Sequence, residues 1–344
     1  MLNVLVVDDS LTIRKWIVET LEDDPRFKVV GEAVNGKEAI HLAEKLRPDV
    51  ITMDMMMPEM TGLSATEYIM AHCPTRILIV SASTNRGEVM KTYDALAAGA
   101  ISVFEKPGNI TLAGEEWSRQ LIEEILLISR VPVIRHIKGT RILKQAPAPQ
   151  PANHYKVVAL GASTGGPQTL LGIFKKIPAD FPLPILCVLH ISPNFAHTIA
   201  EWFSMNCELD VKFAKGGEAI NNGERGKVYM APADYHLEIE SGRLNLTRSE
   251  PVHFCRPSVD VLFQSVAKSY KDQAIAVLLT GMGRDGAAGM KSLYDAHGFT
   301  MAQNEESCVI FGMPAEAIKL GAAKQILSDA DIPSELLLLS GYKK

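Results

Sequence analysis

The chain has 344 residues, 47% apolar and 22% charged, a globular composition with enough length for two cores rather than one. Its formal net charge of −5 and the absence of any basic run argue against nucleic acid as a partner, because neutralising phosphates needs clustered Lys and Arg. The five cysteines, Cys73, Cys187, Cys207, Cys255 and Cys308, are widely spaced without a Cys-x-x-Cys, which fits reduced thiols better than a disulfide scaffold or a zinc site.

The chain enters a strand-like run, Asn3 to Val7, directly and lacks the basic-then-apolar layout of a signal peptide. Apolar runs such as Ile185 to Leu189 fall far short of a membrane span, so no membrane insertion and a cytoplasmic location are expected. From residue 1 to about 130, short apolar runs alternate with amphipathic segments. Strands are predicted at Val4–Val7, Val29–Val30, Val50–Met53, Ile77–Val80 and Ile101–Phe104, with helices at Thr12–Leu21, Lys37–Leu46, Ser64–Met70, Glu88–Ala97 and Glu115–Ile128. Five strand-helix units imply a doubly wound parallel sheet whose site lies at the carboxyl ends of its strands.

Asp8 and Asp9 follow the first of these strands and Asp54 the third. Carboxylates converging there repel one another, and a hard cation such as Mg²⁺ held by oxygen ligands is the simplest remedy. The fourth strand ends at Ser81 and the fifth at Lys106, a hydroxyl and an ammonium of the kind that bind phosphoryl oxygens. Solvated loop residues are the plain alternative for any one pair; the coincidence of all of them at strand ends favours a site. Val6-Val7-Asp8-Asp9-Ser10, Met53 to Gly62, Val80-Ser81-Ala82 and Phe104-Glu105-Lys106-Pro107 resemble a response-regulator receiver domain. The resemblance implies that Asp54 takes phosphate from a histidine kinase and that Asp9, Asp54 and the Met56 carbonyl hold Mg²⁺ with Asp8 assisting. It also implies that Ser81 and Lys106 bind the phosphoryl group. Val103 stands where many receivers carry an aromatic switch residue.

Residues 131–152 include Ala146-Pro147-Ala148-Pro149-Gln150-Pro151-Ala152, which continues neither a helix nor a central strand, so a semi-rigid linker is predicted between a domain at 1–130 and another at 153–344. In the second domain, strands are predicted at Lys156–Leu160, Ile185–Leu189, Val228–Met230, Leu237–Ile239, Leu244–Leu246 and Ala274–Leu279. Helices are predicted at Gln168–Lys175, Ala196–Met205, Ser258–Ser269, Ala287–Tyr294 and Ala315–Leu320. Asn222-Gly223 and Ser241-Gly242 suggest a β-hairpin excursion inside a larger, mostly parallel α/β domain.

Val157 to Pro167 reads as a buried strand, a glycine turn and a helix start, with Gly161-x-Ser163-x-Gly165 in the form of a nucleophile elbow. Such an elbow exposes the Ser163 hydroxyl at a helix amino terminus. A phosphate-cradling loop and plain helix–strand packing are the alternatives this motif leaves open. A nucleophilic serine needs a base and an acid to orient it. Among nine histidines, His190 is best placed, ending the apolar run Ile185 to Leu189; His236 and His253 compete. Asp285 follows another strand through Thr280-Gly281-Met282-Gly283-Arg284, although an acid there is equally explained as a helix cap.

Gly161 to Gly166, His190, Val228 to Pro232, Arg256 to Asp260 and Thr280 to Gly286 together resemble the catalytic domain of the CheB methylesterase family. The resemblance implies Ser163 as nucleophile, His190 as base and Asp285 as orienting acid. It further implies the Met282 N–H as an oxyanion donor, a bond from Thr164 to His190, and no cofactor in this domain. The implied activity is hydrolysis of glutamate methyl esters, and deamidation of certain glutamines, on methyl-accepting chemoreceptors, with a chemotaxis histidine kinase as phosphodonor. Leu189-His190-Ile191-Ser192-Pro193 departs from the family's usual Gln-His-Met-Pro. A DNA-binding output is disfavoured by the missing basic face, and an idle adaptor by the intact Ser163, His190 and Asp285 set.

Overall fold

The computed structural model describes residues 1–82, 85–107, 110–131, 154–220 and 225–342. The chain divides into two compact units, Met1–Ile142 and Leu143–Lys344. From residue 132 on, the stretch expected to be a linker lies outside the described residues, as does Asn222-Gly223.

In the first unit, β1 (Leu2–Val7), β2 (Phe27–Ala33), β3 (Val50–Met53), β4 (Arg76–Ser81) and β5 (Ser102–Glu105) alternate with helices. These are α1 (Leu11–Glu22), α2 (Gly36–Leu46), α3 (Gly62–His72), α4 (Arg86–Ala97) and α5 (Ile110–Ser129), the last kinked at Gly114. The strands pair in parallel in the order β2-β1-β3-β4-β5, the doubly wound arrangement predicted from the alternation. Side-chain caps fix where four helices begin: Ser10, Asn35, Thr61 and Asn85 each accept from the backbone N–H three residues on. β2 extends well beyond the predicted Val29–Val30, because an edge strand half in water carries Lys28, Gly31 and Glu32 that hide its periodicity.

The second unit contains β6 (Val157–Ala162), β7 (Ile185–Leu189), β8 (Asp210–Phe213), β9 (Lys227–Met230), β12 (Ala274–Leu278), β13 (Phe299–Gln303) and β14 (Gln325–Leu327) in one parallel sheet. Its order is β14-β13-β12-β6-β7-β9-β8. The helices are α6 (Gly166–Phe174), α7 (Pro193–Asn206), α8 (Val259–Tyr270), α9 (Ala287–Asp295), α10 (Met313–Lys319) and α11 (Ile332–Leu339). β10 (His236–Glu240) and β11 (Arg243–Thr247) form a separate antiparallel hairpin closed by Ser241 and Gly242, both left-handed at φ 51 and 74. β8, β13 and β14 were not predicted, because these short strands carry Asp, Lys, Thr or Gln and no run of apolar residues announces them; α11 was not predicted either, although it carries Leu336 to Leu339. Successive connections leave β6 in opposite directions, to β7 on one side and eventually to β12 on the other. The crevice at the carboxyl end of β6 is therefore a topological switch point, where ligands bind in open α/β sheets.

Candidate functional site

Ser163 follows β6 at that switch point. In the parallel register Ala162 faces Leu189, and the His190 N–H donates to the Ala162 carbonyl at 2.9 Å, so Ser163 and His190 leave neighbouring strands side by side. On the other flank the Ser163 N–H donates to the Thr280 carbonyl at 3.0 Å, which draws the loop after β12 against it. A Cβ at Gly281 would lie 2.6 Å from Ser163 Cβ and 2.4 Å from Met313 Sδ, so only glycine lets this loop pass. The expected glycine turn follows the serine: the Gly166 N–H donates to the Ser163 carbonyl at 2.7 Å, and α6 begins there, three residues after Ser163. Gly165, at φ 78, supplies the left-handed cap, and Ser163 itself stays out of that region. Among the described residues its hydroxyl makes no hydrogen bond, to His190 or otherwise.

Asp285 is buried, and its oxygens are held by an element the sequence reading did not connect to it. It accepts from Ser258 Oγ at 2.7 Å, from the Val259 N–H at 2.7 Å and from the Asp260 N–H at 3.1 Å. It therefore sits on the amino terminus of α8 rather than capping α9, whose own N-cap is Gly286. Burial alone would raise its pKa, but contact with His190, followed by the bonds from Ser258 and Val259, holds it below the ordinary carboxylate value. His190 Nε2 lies 2.9 Å from Asp285 Oδ2, yet the buried nitrogen has no well-directed hydrogen bond, so this contact acts as a charge pair more than an aligned bond. Burial by itself would lower the His190 pKa; Asp285 and Cys255 outweigh it and push the imidazole up to about 9.

Cys255 Sγ lies 3.9 Å from His190 Nδ1, a neighbour that sequence reasoning missed because the two are 65 positions apart. Of the competing histidines, His236 is fully buried, with Nδ1 accepting from the Ser258 N–H at 3.1 Å, and serves the packing beneath α8. His253 pairs with Asp260 at 3.1 Å instead of with Asp285. Met282 has an exposed side chain, and its backbone N–H has no partner among the described residues. The Thr164 side chain does not bond His190; its carbonyl instead accepts from Thr280 Oγ1 at 3.0 Å. A cleft of about 420 Å³ opens beside His190, Cys255 and Phe254 over Ile199, Phe213 and Met230, so it adjoins Ser163 and Asp285 without being lined by them.

In the first unit, Asp8 and Asp54 are buried at the ends of β1 and β3, and Lys106 Nζ reaches Asp8 Oδ2 at 2.7 Å and Asp54 Oδ1 at 2.8 Å. The first of these contacts is short but badly aligned, leaving Asp8 Oδ2 without a proper hydrogen bond. Burial, opposed by Lys106 and reinforced by Asp8, raises Asp54 to about 6, and burial likewise raises Asp8. The ammonium of Lys106 stays charged because the two carboxylates outweigh its desolvation. Asp9 is exposed, and Asp8, Asp9 and Asp54 can each direct an oxygen to a point within a 4.8 Å cluster. Three acids against one lysine, with an orphaned buried oxygen and only oxygen donors, fit a hard divalent cation such as Mg²⁺. Ser81 is buried at the end of β4, with its carbonyl accepting from the Lys106 N–H at 2.9 Å, and Met56 is exposed next to Lys91.

The first unit has a receiver-type sheet, and the second is a larger parallel α/β unit. The response regulator receiver domain model matches residues 4–112, and the CheB methylesterase model matches residues 158–336. The chain is 42% identical over 342 residues to a protein-glutamate methylesterase/protein-glutamine glutaminase of Nitrosospira multiformis, covering 95% of this chain and 94% of that one. A relative of the same name from Syntrophus aciditrophicus is 40% identical over 99% of both chains. Among solved structures, the catalytic domain of Thermotoga maritima CheB methylesterase is 39% identical with a TM-score of 0.51, covering 54% of this chain and 98% of that domain. The chain belongs to the CheB methylesterase family, and methylesterase/glutaminase function with a receiver domain follows from that membership. Among the described residues, no helix is long and apolar enough to cross a membrane.

Proposed function

We propose that the second unit is a serine hydrolase that demethylates glutamate methyl esters and deamidates glutamines on chemoreceptors in the cytoplasm, and that phosphorylation of Asp54 by a chemotaxis histidine kinase raises its rate. The observation that carries the reading is the meeting of Ser163, His190 and Asp285 at the ends of β6, β7 and the loop after β12. His190, with Nε2 facing Asp285 and Nδ1 beside Cys255, would take the Ser163 proton as Oγ attacks the γ-carbonyl. The tetrahedral oxyanion draws on the free Met282 N–H, worth on the order of 3 kcal/mol for one such donor. His190 returns the proton to methanol, or to ammonia from an amide, and water then hydrolyses the glutamyl ester on Ser163. Thr164 supports the loop through its carbonyl in this scheme.

In the first unit, Asp9, Asp54 and the Met56 carbonyl would hold Mg²⁺ with Asp8 beside them, and the cation would neutralise charge as phosphate is transferred. Lys106 and Ser81 would then receive the phosphoryl oxygens. The test is methanol release from methylated chemoreceptor membranes with and without acetyl phosphate and Mg²⁺. Stimulated release is expected from the native chain and loss of the stimulation in Asp54→Ala; stimulation that survives the substitution would remove Asp54 from the regulatory role.

The pH dependence follows from the charge pair. With His190 raised to about 9, only about one molecule in a hundred carries the neutral base at pH 7. The kcat/KM for methanol release is expected to climb about tenfold per pH unit and to level off near pH 9. A profile levelling off near 6.5 would mean that the imidazole is not held by Asp285 in the active enzyme. The sign for stability is opposite: the raised folded pKa stabilises the fold below pH 6.5, and this contribution is lost as pH rises through 9.

A further inference from the structure

Beside His190 the backbone makes a turn that its own sequence resists. Val252 and Cys255 close it with reciprocal bonds, N–H to carbonyl, at 3.1 and 2.9 Å, and both residues between them are left-handed, His253 at φ 52 and Phe254 at φ 63. A two-residue turn of this kind is normally made by Asn-Gly, because a side chain in the left-handed region is strained. Such strain persists only where the surroundings hold it. Here His253 is the held residue: its Nε2 meets the buried Asp260 at 3.1 Å, and Arg284 Nε meets its Nδ1 at 3.3 Å. Asp260 in turn accepts from the Gly289 N–H at 2.6 Å, which ties the turn to α9.

Pinning His253 inward drives Phe254 outward, and its ring is fully exposed, at 102% of the reference area, on the rim of the cleft that also contains His190. The ring packs on no core, so folding gives no reason for an aromatic residue here. Exposed aromatic side chains are enriched in protein–protein interfaces, where a partner that desolvates them gains binding energy. Arg256, whose Nη1 donates to the Arg248 and Ser249 carbonyls at 3.5 and 3.1 Å, lines the same cleft, and the exposed Arg284 braces the turn; both keep their positive charge. They are complementary to an acidic polypeptide.

Resting on the function proposed above, we infer that Phe254 grips the polypeptide surface carrying the esterified glutamate, packing on apolar side chains beside the target while Arg256 and Arg284 meet neighbouring acids. Phe254 is a specificity residue for protein substrates and takes no part in the bond-breaking steps.

The experiment compares the full chain with Phe254→Ala, Phe254→Gly and Phe254→Tyr on two substrates, methylated chemoreceptor membranes and p-nitrophenyl acetate, both with acetyl phosphate and Mg²⁺ present. The ratio of receptor to small-ester kcat/KM is expected to fall roughly tenfold or more in the Ala and Gly variants, through KM, and to return toward the native ratio in the Tyr variant. Glycine suits both left-handed positions, so the Gly variant keeps the turn and separates loss of the ring from loss of the fold. An unchanged ratio, or a loss residing in kcat on both substrates alike, would overturn the inference and leave the turn as a support for His190. A native chain that hydrolyses p-nitrophenyl acetate but releases no methanol from receptors would instead overturn the substrate reading on which the inference rests.

Discussion

Ser163→Ala is expected to lower methanol release by about 10⁶-fold, to the residual level left when a catalytic serine is removed from an otherwise intact site. Stability should change little, within about 0.5 kcal/mol, because the hydroxyl makes no hydrogen bond among the described residues. The backbone bonds at 3.0 Å to Thr280 and 2.7 Å from Gly166 do not depend on the side chain. Methanol release and the urea unfolding midpoint, measured on the same preparation, give both numbers. A variant that kept a tenth of native activity would relocate the nucleophile, and Cys255, 3.9 Å from His190 Nδ1, would be the first residue to replace next.

Asp285→Ala is expected to damage activity and stability together. Three donors lose their acceptor at once: Ser258 Oγ, the Val259 N–H and the Asp260 N–H, all buried. Stranding donors and leaving His190 without its counter-charge costs about 3–5 kcal/mol, the range for breaking a buried pair. Activity should fall about 10⁴-fold for want of an oriented base. Asp285→Asn keeps an acceptor for α8 and should recover part of the stability while remaining inactive. The native chain should also lose stability as pH falls through the depressed folded pKa of Asp285, a loss that the Asn variant should lack. Equal urea midpoints for the native chain and the Ala variant would show that the bonds to α8 contribute nothing net.

The receiver was the more legible half of the sequence. Its acids and Lys106 sit immediately after strands whose apolar runs are unmistakable, which puts them at one sheet edge, while the Lys106 contacts at 2.7 and 2.8 Å need its long side chain to reach past β4. In the second unit the residues Ser163, His190 and Asp285 were also visible as strand-end punctuation, but their surroundings were not. The tight turn from Ser163 to Gly166, with Gly165 rather than the serine in the left-handed conformation, starts α6 two residues before the predicted Gln168. Asp285 looked like a cap for the helix after it, whereas it serves the helix before it: Ser258 lies 27 positions upstream, and nothing local encodes that meeting. The arginine-braced turn at His253-Phe254 was hidden for a related reason, since neither residue is a turn former and tertiary contacts impose the conformation.

The strand order has a bearing on how this protein comes into being. β12 adds to the free edge of β6 before β13 and β14 extend the sheet, so Ser163 and Asp285, 122 positions apart (285 − 163), become neighbours only when this later segment of the chain has paired. Pairings of such long sequence separation form slowly and late. During synthesis, a nascent chain can complete the receiver and even β6 and β7, with Ser163 and His190 already adjacent, while Asp285 is still unmade. On the proposed mechanism the second unit would gain activity only after Asp285 has emerged, by which point the first unit is already complete.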